Sequence, residues 1–390
     1  MRYASTVDRL AHLGSAKWAI HIAGRRRAAN GEKLIFLSIG EPDLPPPMAI
    51  IDVANRQMRA GRLRYSAGRG ELHVRESLAR YYTKQTGRPI AADQFLFLPG
   101  TQAALACTFL TILEPGDEVL LLDPYYATYE AVVTAPGGIP VPVPLDPDQG
   151  FHPNIAAIEK AITSRTKAIL LNSPSNPTGA VFTRAENLAI GELARKHDLW
   201  LVSDEVYAAM IHGNHVFHSP FFEKELEERT IVVSSISKSH ALPGFRCGWV
   251  AGSADLCTNM LAVTETLLFG SQPFLEDATS FALDTHFDET DAMKTAYLAR
   301  AQVLMDGVKQ ARGVSTHLPE GGMFLMLDVR RTGLSGEDFA RRLLDEEDVV
   351  TMPGESFGAR GAGHLRVALT VDEETMAEAA RRITRLANRL

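Results

Sequence analysis

Cysteine is scarce: three in 390 residues, Cys107, Cys247 and Cys257, an odd number without paired motif spacing. That usage suits a reducing compartment and argues against a disulfide framework. Long apolar runs are also missing, since stretches such as Val119 to Leu122 stop at Asp123-Pro124, far short of the roughly 18 to 20 residues that span a bilayer. No membrane partner is expected. The opening MRYASTVDRLAHLGSAKW breaks its apolar positions with Asp8, Arg9, His12 and Lys17. It holds no secretory core, so a cytoplasmic location is expected. Basic blocks are short, none longer than Arg25-Arg26-Arg27, and 40 Lys and Arg against 47 Asp and Glu leave a net charge of -7. Such a balance lacks the electrostatic footprint of a nucleic-acid partner.

What is present is ordinary globular composition, 45% hydrophobic and 22% charged, with a length that allows two to three units of about 150 residues. From Asp93 to Ala251 short apolar runs (Phe95 to Leu98, Glu118 to Leu122, Lys167 to Leu171, Leu199 to Val202, Thr230 to Ser234, Cys247 to Ala251) alternate with helical segments such as Thr101 to Leu113, Pro153 to Thr163 and Arg184 to His197. This alternation predicts an α/β fold around a mostly parallel sheet flanked by helices. Residues 1–32 read as helical, and the chain beyond about 280 carries helical patterns with fewer strand runs. The expected organisation is a large domain over 46–280 and a smaller α+β domain built from 1–45 and 281–390.

Three motifs mislead. Gly354-Glu355-Ser356-Phe357-Gly358 fits the G-x-S-x-G nucleophile elbow, but only 32 residues follow and His364 precedes Asp372, the wrong order. A Gly-bounded turn is expected. Ser235-Ile236-Ser237-Lys238 fits S-x-x-K, yet Ser203-Asp204-Glu205 and Arg331-Thr332-Gly333 fail the companion elements that motif requires. His212, His215 and His218 sit in a Gly/Asn/Pro loop without a nearby Cys or clear carboxylate, so solvated histidines are expected there and no metal.

Five segments carry chemistry through their order. Gly100-Thr101-Gln102-Ala103-Ala104 opens a helix directly after a strand, where backbone N–H groups and a hydroxyl can receive a phosphate; an ordinary Thr cap is the plain alternative. Asn172-Ser173-Pro174-Ser175-Asn176-Pro177-Thr178-Gly179 is a rigid turn that would aim the Asn176 amide. Ser203-Asp204-Glu205-Val206-Tyr207 places an acid at a strand's carboxyl end, where open α/β sheets hold ligands. Lys238 follows Ser235 and Ser237 at another strand end, with Arg246 eight residues on, suited to Schiff-base chemistry beside a phosphate. Arg366, inside His364-Leu365-Arg366-Val367-Ala368, needs a planar anion to justify its place in an apolar run.

Together with Tyr65 to Arg75 (YSAGRGELHVR), this ordered set resembles the class I fold-type I aminotransferases that use pyridoxal 5′-phosphate, over about Leu37 to Leu369. The resemblance implies that Lys238 binds the cofactor covalently and moves the substrate's α-proton. It implies that Asp204 keeps the pyridine nitrogen protonated, that Asn176 and Tyr207 hold the ring's 3-hydroxyl, and that Tyr126 stacks on the ring. Gly100, Thr101, Gln102, Ser235, Ser237 and Arg246 would hold the phosphate, with Tyr65 reaching it from the other subunit of a homodimer with shared active sites. Arg366 would grip the substrate α-carboxylate, helped by Asn176 and the backbone near Gly40. Leu72 and His73 depart from the Pro-Glu usual in that stretch.

The implied reaction moves an amino group from an L-amino acid to a 2-oxo acid such as pyruvate or 2-oxoglutarate. A carbon–sulfur β-lyase on the same fold is the alternative chemistry. Thr264 to Ala278 (TETLLFGSQPFLEDA), where aspartate-type members carry a substrate-binding arginine, has no Lys or Arg but contains Glu265, Glu276 and Asp277. Coulomb sign then favours a basic donor. Ser234 to Val250 and Gly321 to Leu327 resemble the arginine–pyruvate transaminase branch. Neutral, aromatic or aspartate donors stand as the alternative.

Overall fold

The computed structural model describes residues 2–11, 13 and 15–390; Met1, His12 and Gly14 of the expected N-terminal helical stretch lie outside them. Seven strands form the large sheet in the spatial order Phe95–Leu98, Gly248–Ala251, Thr230–Ser235, Trp200–Asp204, Thr166–Asn172, Glu118–Asp123, Ile139–Pro144. Gly248–Ala251 runs antiparallel to both of its neighbours and the remaining pairs are parallel. Both faces are covered, which is why these strands read as continuous apolar runs. Leu121, Leu170 and Val202 pack on one side, Leu120, Ile169 and Leu201 on the other.

Register brings the chemistry-bearing positions to one edge. Asn172 pairs with Asp204 at the ends of their strands, and Gly248 pairs with both Ser235 and Leu98. Because Gly248–Ala251 is reversed, its start meets the carboxyl ends of the others, and Arg246 falls beside them.

Two features differ from the sequence expectation. Ile139–Pro144 is a strand that the apolar pattern did not reveal; prolines at 140, 142 and 144 are tolerated because it lies at the sheet edge, where a missing N–H leaves no ladder bond unmade. The chain beyond 280 is also richer in strands than expected, with an antiparallel sheet of Met352–Pro353, His364–Ala368, Phe324–Asp328 and Ser315–Thr316. Val349–Val350 pairs with Ile35–Phe36 from the other end of the chain. A single core gathers Ile20 and Leu37 with residues of the helices Asp288–Gly307, Gly336–Glu347 and Glu373–Arg389, and it reaches Tyr207 and Met210 at the edge of the large sheet.

Candidate functional site

At that edge lies a cavity of about 480 Å³, a size suited to a cofactor or small substrate. Its floor is the start of the helix Gly100–Ile112. Gly100 takes φ +82°, a conformation costly for any residue with a Cβ, and a Cβ there would meet the Arg246 guanidinium at 2.5 Å. Gly248 is equally confined, since a Cβ would lie 2.7 Å from Gly100 Cα and 2.7 Å from Ser234 O. Arg246 itself has φ +53°, held by bonds from Nη1 to Pro243 O at 3.0 Å and Nη2 to Pro99 O at 3.3 Å. Thr101 Oγ1 is buried here without a hydrogen-bond partner. Ser235 and Ser237 are buried beside it, the Ser235 hydroxyl accepting from Ser237 N at 3.3 Å. An orphaned hydroxyl, free N–H groups at a helix start and a guanidinium make a cradle for a phosphate-sized anion. An ordinary Thr cap is excluded, because the cap position belongs to Pro99. Gln102 lines the rim, its Oε1 accepting from the Thr128 hydroxyl at 3.1 Å.

The wall above is built from the Trp200–Asp204 strand end. Asp204 is 4% exposed; Oδ2 accepts from the Tyr129 hydroxyl at 2.7 Å and Oδ1 from Val206 N at 3.2 Å. Burial pushes its carboxyl up to about 6, against the pull of those donors. Asn172 Nδ2 donates to Asp204 O at 3.0 Å while Asn172 Oδ1 accepts from Asn176 N at 2.8 Å, so one amide joins the acid to the rigid turn. Tyr207 is buried on the Phe324 ring edge, 6.0 Å between centroids, and burial raises its phenol. Tyr126 meets Tyr129 edge-on at 5.6 Å and lines the cavity.

Opposite stand two cations. Lys238 Nζ donates to Gly40 O at 2.6 Å, and burial brings its ammonium down to about 8, with Glu41 opposing and Arg366 and Arg246 reinforcing the shift. Arg366 is 1% exposed, its guanidinium lying 4.2 Å from the Phe324 ring centre and 4.5 Å from that of Phe357. Nη1 donates to Asn176 Oδ1 at 3.0 Å and Nη2 to Ser38 O at 2.5 Å, while Nε is buried without a partner. Burial lowers it to about 10. No carboxylate pairs with it among the described residues; a buried cation so placed is expensive and fits an incoming carboxylate.

Thus Gly40, Gly100, Thr101, Gln102, Tyr126, Asn176, Asp204, Tyr207, Ser235, Ser237, Lys238, Arg246 and Arg366 come into or beside one cavity. Tyr65 does not: it is 84% exposed, its ring 5.0 Å from that of Phe269. Sequence reasoning missed Tyr129, which completes Asp204, and Phe324, which carries Arg366; both are apolar-patterned residues whose role depends on distant neighbours.

Three expectations are corrected. Glu276 is wholly buried and accepts from Glu71 N, and Asp277 pairs with Arg62 at 2.9 Å and His73 at 2.7 Å, so of the three acids in 264–278 Glu265 alone stays exposed. His212 is not solvated: it is buried, Nε2 lying 2.8 Å from Gly322 O, and His218 meets Glu223 at 2.9 Å, so a carboxylate is at hand after all. No group that could hold a metal ion is found among the described residues.

Comparison with known proteins identifies the family. Residues 32–383 match the family Aminotransferase class I and II. An arginine–pyruvate transaminase of Pseudomonas aeruginosa is 40% identical over 98% of this chain and 97% of its own length. The structure of Thermus thermophilus aspartate aminotransferase with maleate superposes with a TM-score of 0.91 at 31% identity, covering 99% of this chain and 100% of that one. An aspartate aminotransferase from Rhizobium meliloti gives a TM-score of 0.95 at 26% identity over the full length of both. The chain therefore belongs to the class I and II aminotransferases, fold-type I enzymes that use pyridoxal 5′-phosphate to transfer amino groups.

Proposed function

We propose that the enzyme transfers the amino group of arginine, or another basic amino acid, to pyruvate. The observation that carries this is the stretch 264–278, which offers no cation to a dicarboxylic donor and keeps Glu265 exposed. The 40% identity to a protein named for arginine and pyruvate supports it.

When bound, pyridoxal 5′-phosphate supplies an electron sink for the bond that breaks at the α-carbon. Thr101, the N–H groups after Gly100, Ser235, Ser237 and Arg246 hold its phosphate, with Gln102 bordering them. Asp204, braced by the Tyr129 hydroxyl, holds a proton on the ring nitrogen; that cation would in turn draw the buried carboxyl down from about 6. Asn176 and Tyr207 would hold the 3-hydroxyl and Tyr126 would lie against the ring. Lys238 Nζ takes and returns the α-proton, a task eased by a pKa near 8, which leaves a fraction neutral at pH 7. Arg366 binds the α-carboxylate with two parallel bonds, beside Asn176 and the Gly40 backbone.

The division into 46–280 and 1–45 with 281–390 gives two bodies whose seam holds this site. The working unit is a homodimer in the cytoplasm, in which Tyr65 of each copy reaches the other's phosphate. Comparing kcat/KM for arginine, lysine, alanine, phenylalanine and aspartate with pyruvate as acceptor tests the donor. Arginine or lysine should rank first by at least about tenfold, a single charge complement being worth on the order of 1.4 kcal/mol; aspartate first, or arginine last, overturns the reading.

A further inference from the structure

Among the links between the two bodies, which include Tyr125 N to Phe357 O and Arg360 N to Asp123 Oδ1, one short strap, residues 319–322, lies next to the cavity. Gly179 O accepts from both Glu320 N and Gly321 N at 3.0 Å. His212 N donates to Glu320 O at 2.9 Å, and Gly322 N to Met210 O at 2.7 Å. The approach leaves no slack, because a Cβ on Gly179 would stand 2.6 Å from Pro319 Cβ and one on Gly321 2.8 Å from Met210 O. The strap leads into Phe324, whose ring lies on Arg366, and it touches the turn whose Asn176 receives Arg366 Nη1.

The Glu320 side chain adds a charged fastening to this strap, beside the Lys17–Glu130 and Arg330–Asp148 pairs elsewhere between the two bodies. Its Oε2 accepts from Val181 N at 2.7 Å, and its two oxygens lie 3.3 and 3.2 Å from His152 Nε2. On the other side His152 Nδ1 lies 2.9 Å from Glu186 Oε1. Glu186 is itself fixed, accepting from Thr183 N at 2.7 Å as the capping box of the helix Arg184–Lys196. The charged groups facing His152 are thus Glu186 from the helix and Glu320 from the strap, with His215 3.8 Å beyond Glu320.

We propose that His152, as an imidazolium clamped between Glu186 and Glu320, is a positioning residue for the substrate-carboxylate grip. It holds the strap against the Asn176 turn, and with it both neighbours of Arg366, the amide and the ring. Only the charged ring donates to both acids at once. The two carboxylates raise the imidazole to about 10. The sign is that of a raised base: the contribution is complete below the unfolded value of about 6.5 and is lost as pH climbs through about 10.

The inference rests on Arg366 as the carboxylate grip, so the experiment carries both variants. In the holoenzyme, His152→Gln should raise KM for the amino donor and for the oxo acid by roughly tenfold at neutral pH, as for a group displaced by a fraction of an ångström. It should change kcat less and leave apoenzyme affinity for pyridoxal 5′-phosphate as in wild type. Wild-type KM should climb between about pH 9 and 10, and this limb should disappear in His152→Gln. His152→Lys, which restores a cation, should recover part of the loss. Glu186→Gln, at the helix end of the clamp and not on the strap, should give a smaller rise and covers the case in which His152→Gln does not fold. Unchanged KM in the folded variants, or a lower Tm with KM and its pH limb as in wild type, overturns the clamp. Unchanged KM in Arg366→Ala overturns the underlying role of Arg366 instead.

Discussion

Arg366 shows how much a single residue owes to its surroundings. Its guanidinium lies between two aromatic rings and spends its bonds on Asn176 Oδ1 and Ser38 O, with Nε unpaired and no carboxylate in contact among the described residues. Arg366→Ala should therefore remove binding of donors and oxo acids, a loss of roughly 2 to 5 kcal/mol for a buried hydrogen-bonded charge. Cofactor affinity should change little, since Arg246 and Thr101 lie on the other wall. Steady-state KM values beside a spectrophotometric cofactor titration separate the two; loss of cofactor with normal KM would exchange the roles of Arg366 and Arg246. The residue type and its apolar run were legible in the sequence. Its aromatic bed was not, because Phe324 and Phe357 come from separate segments.

At the scale of elements, the phosphate cradle depends on how closely two strand ends approach. Gly248 has backbone on both sides, Gly100 Cα and Ser234 O each 2.7 Å from where a Cβ would stand. Backbone cannot swing aside, so Gly248→Ala should push the start of the Gly100–Ile112 helix outward. The expected result is at least about tenfold weaker cofactor binding and a stability loss of about 1 to 3 kcal/mol from overpacking, read by apoenzyme titration and thermal unfolding. Wild-type affinity in the variant would show that the cradle tolerates the shift. The parallel strands themselves were readable, being buried on both faces and therefore continuously apolar. Ile139–Pro144 was not, since an edge strand half open to water with alternating prolines looks like a loop in a pattern scan.

For the whole molecule, the exposed aromatic and aliphatic groups beside the YSAGRGE stretch matter most. Tyr65 is 84% exposed, Phe269 68%, Leu63 64% and Leu267 56%, the first two with rings 5.0 Å apart, apolar surface that a lone chain leaves in water. The expected particle in solution has the mass of two chains by light scattering. Tyr65→Phe should keep that mass while weakening cofactor retention several-fold, the loss of one hydrogen bond of about 1 kcal/mol. A monomer, or a dimer with unchanged retention, would count against a shared site. The neighbouring acids Glu276 and Asp277 fit the same picture: Glu276 accepts from Glu71 N and Asp277 holds Arg62 and His73, so both brace the loop that carries Tyr65.

The sequence by itself determined the α/β class and the reaction type, and it pointed to the candidate residues, because Thr101, Asn176, Asp204 and Lys238 follow apolar strands and a parallel sheet delivers such ends to one edge. Tertiary structure alone decided what those residues rest on: Tyr129 under Asp204, Phe324 under Arg366, His152 between Glu186 and Glu320. These contacts join segments tens to hundreds of residues apart, and hydrophobic periodicity carries no record of which distant side chain completes a hydrogen bond or a charge pair. The acids of 264–278 make the same point in reverse, since charge is visible in a sequence but the partner that neutralises it is not.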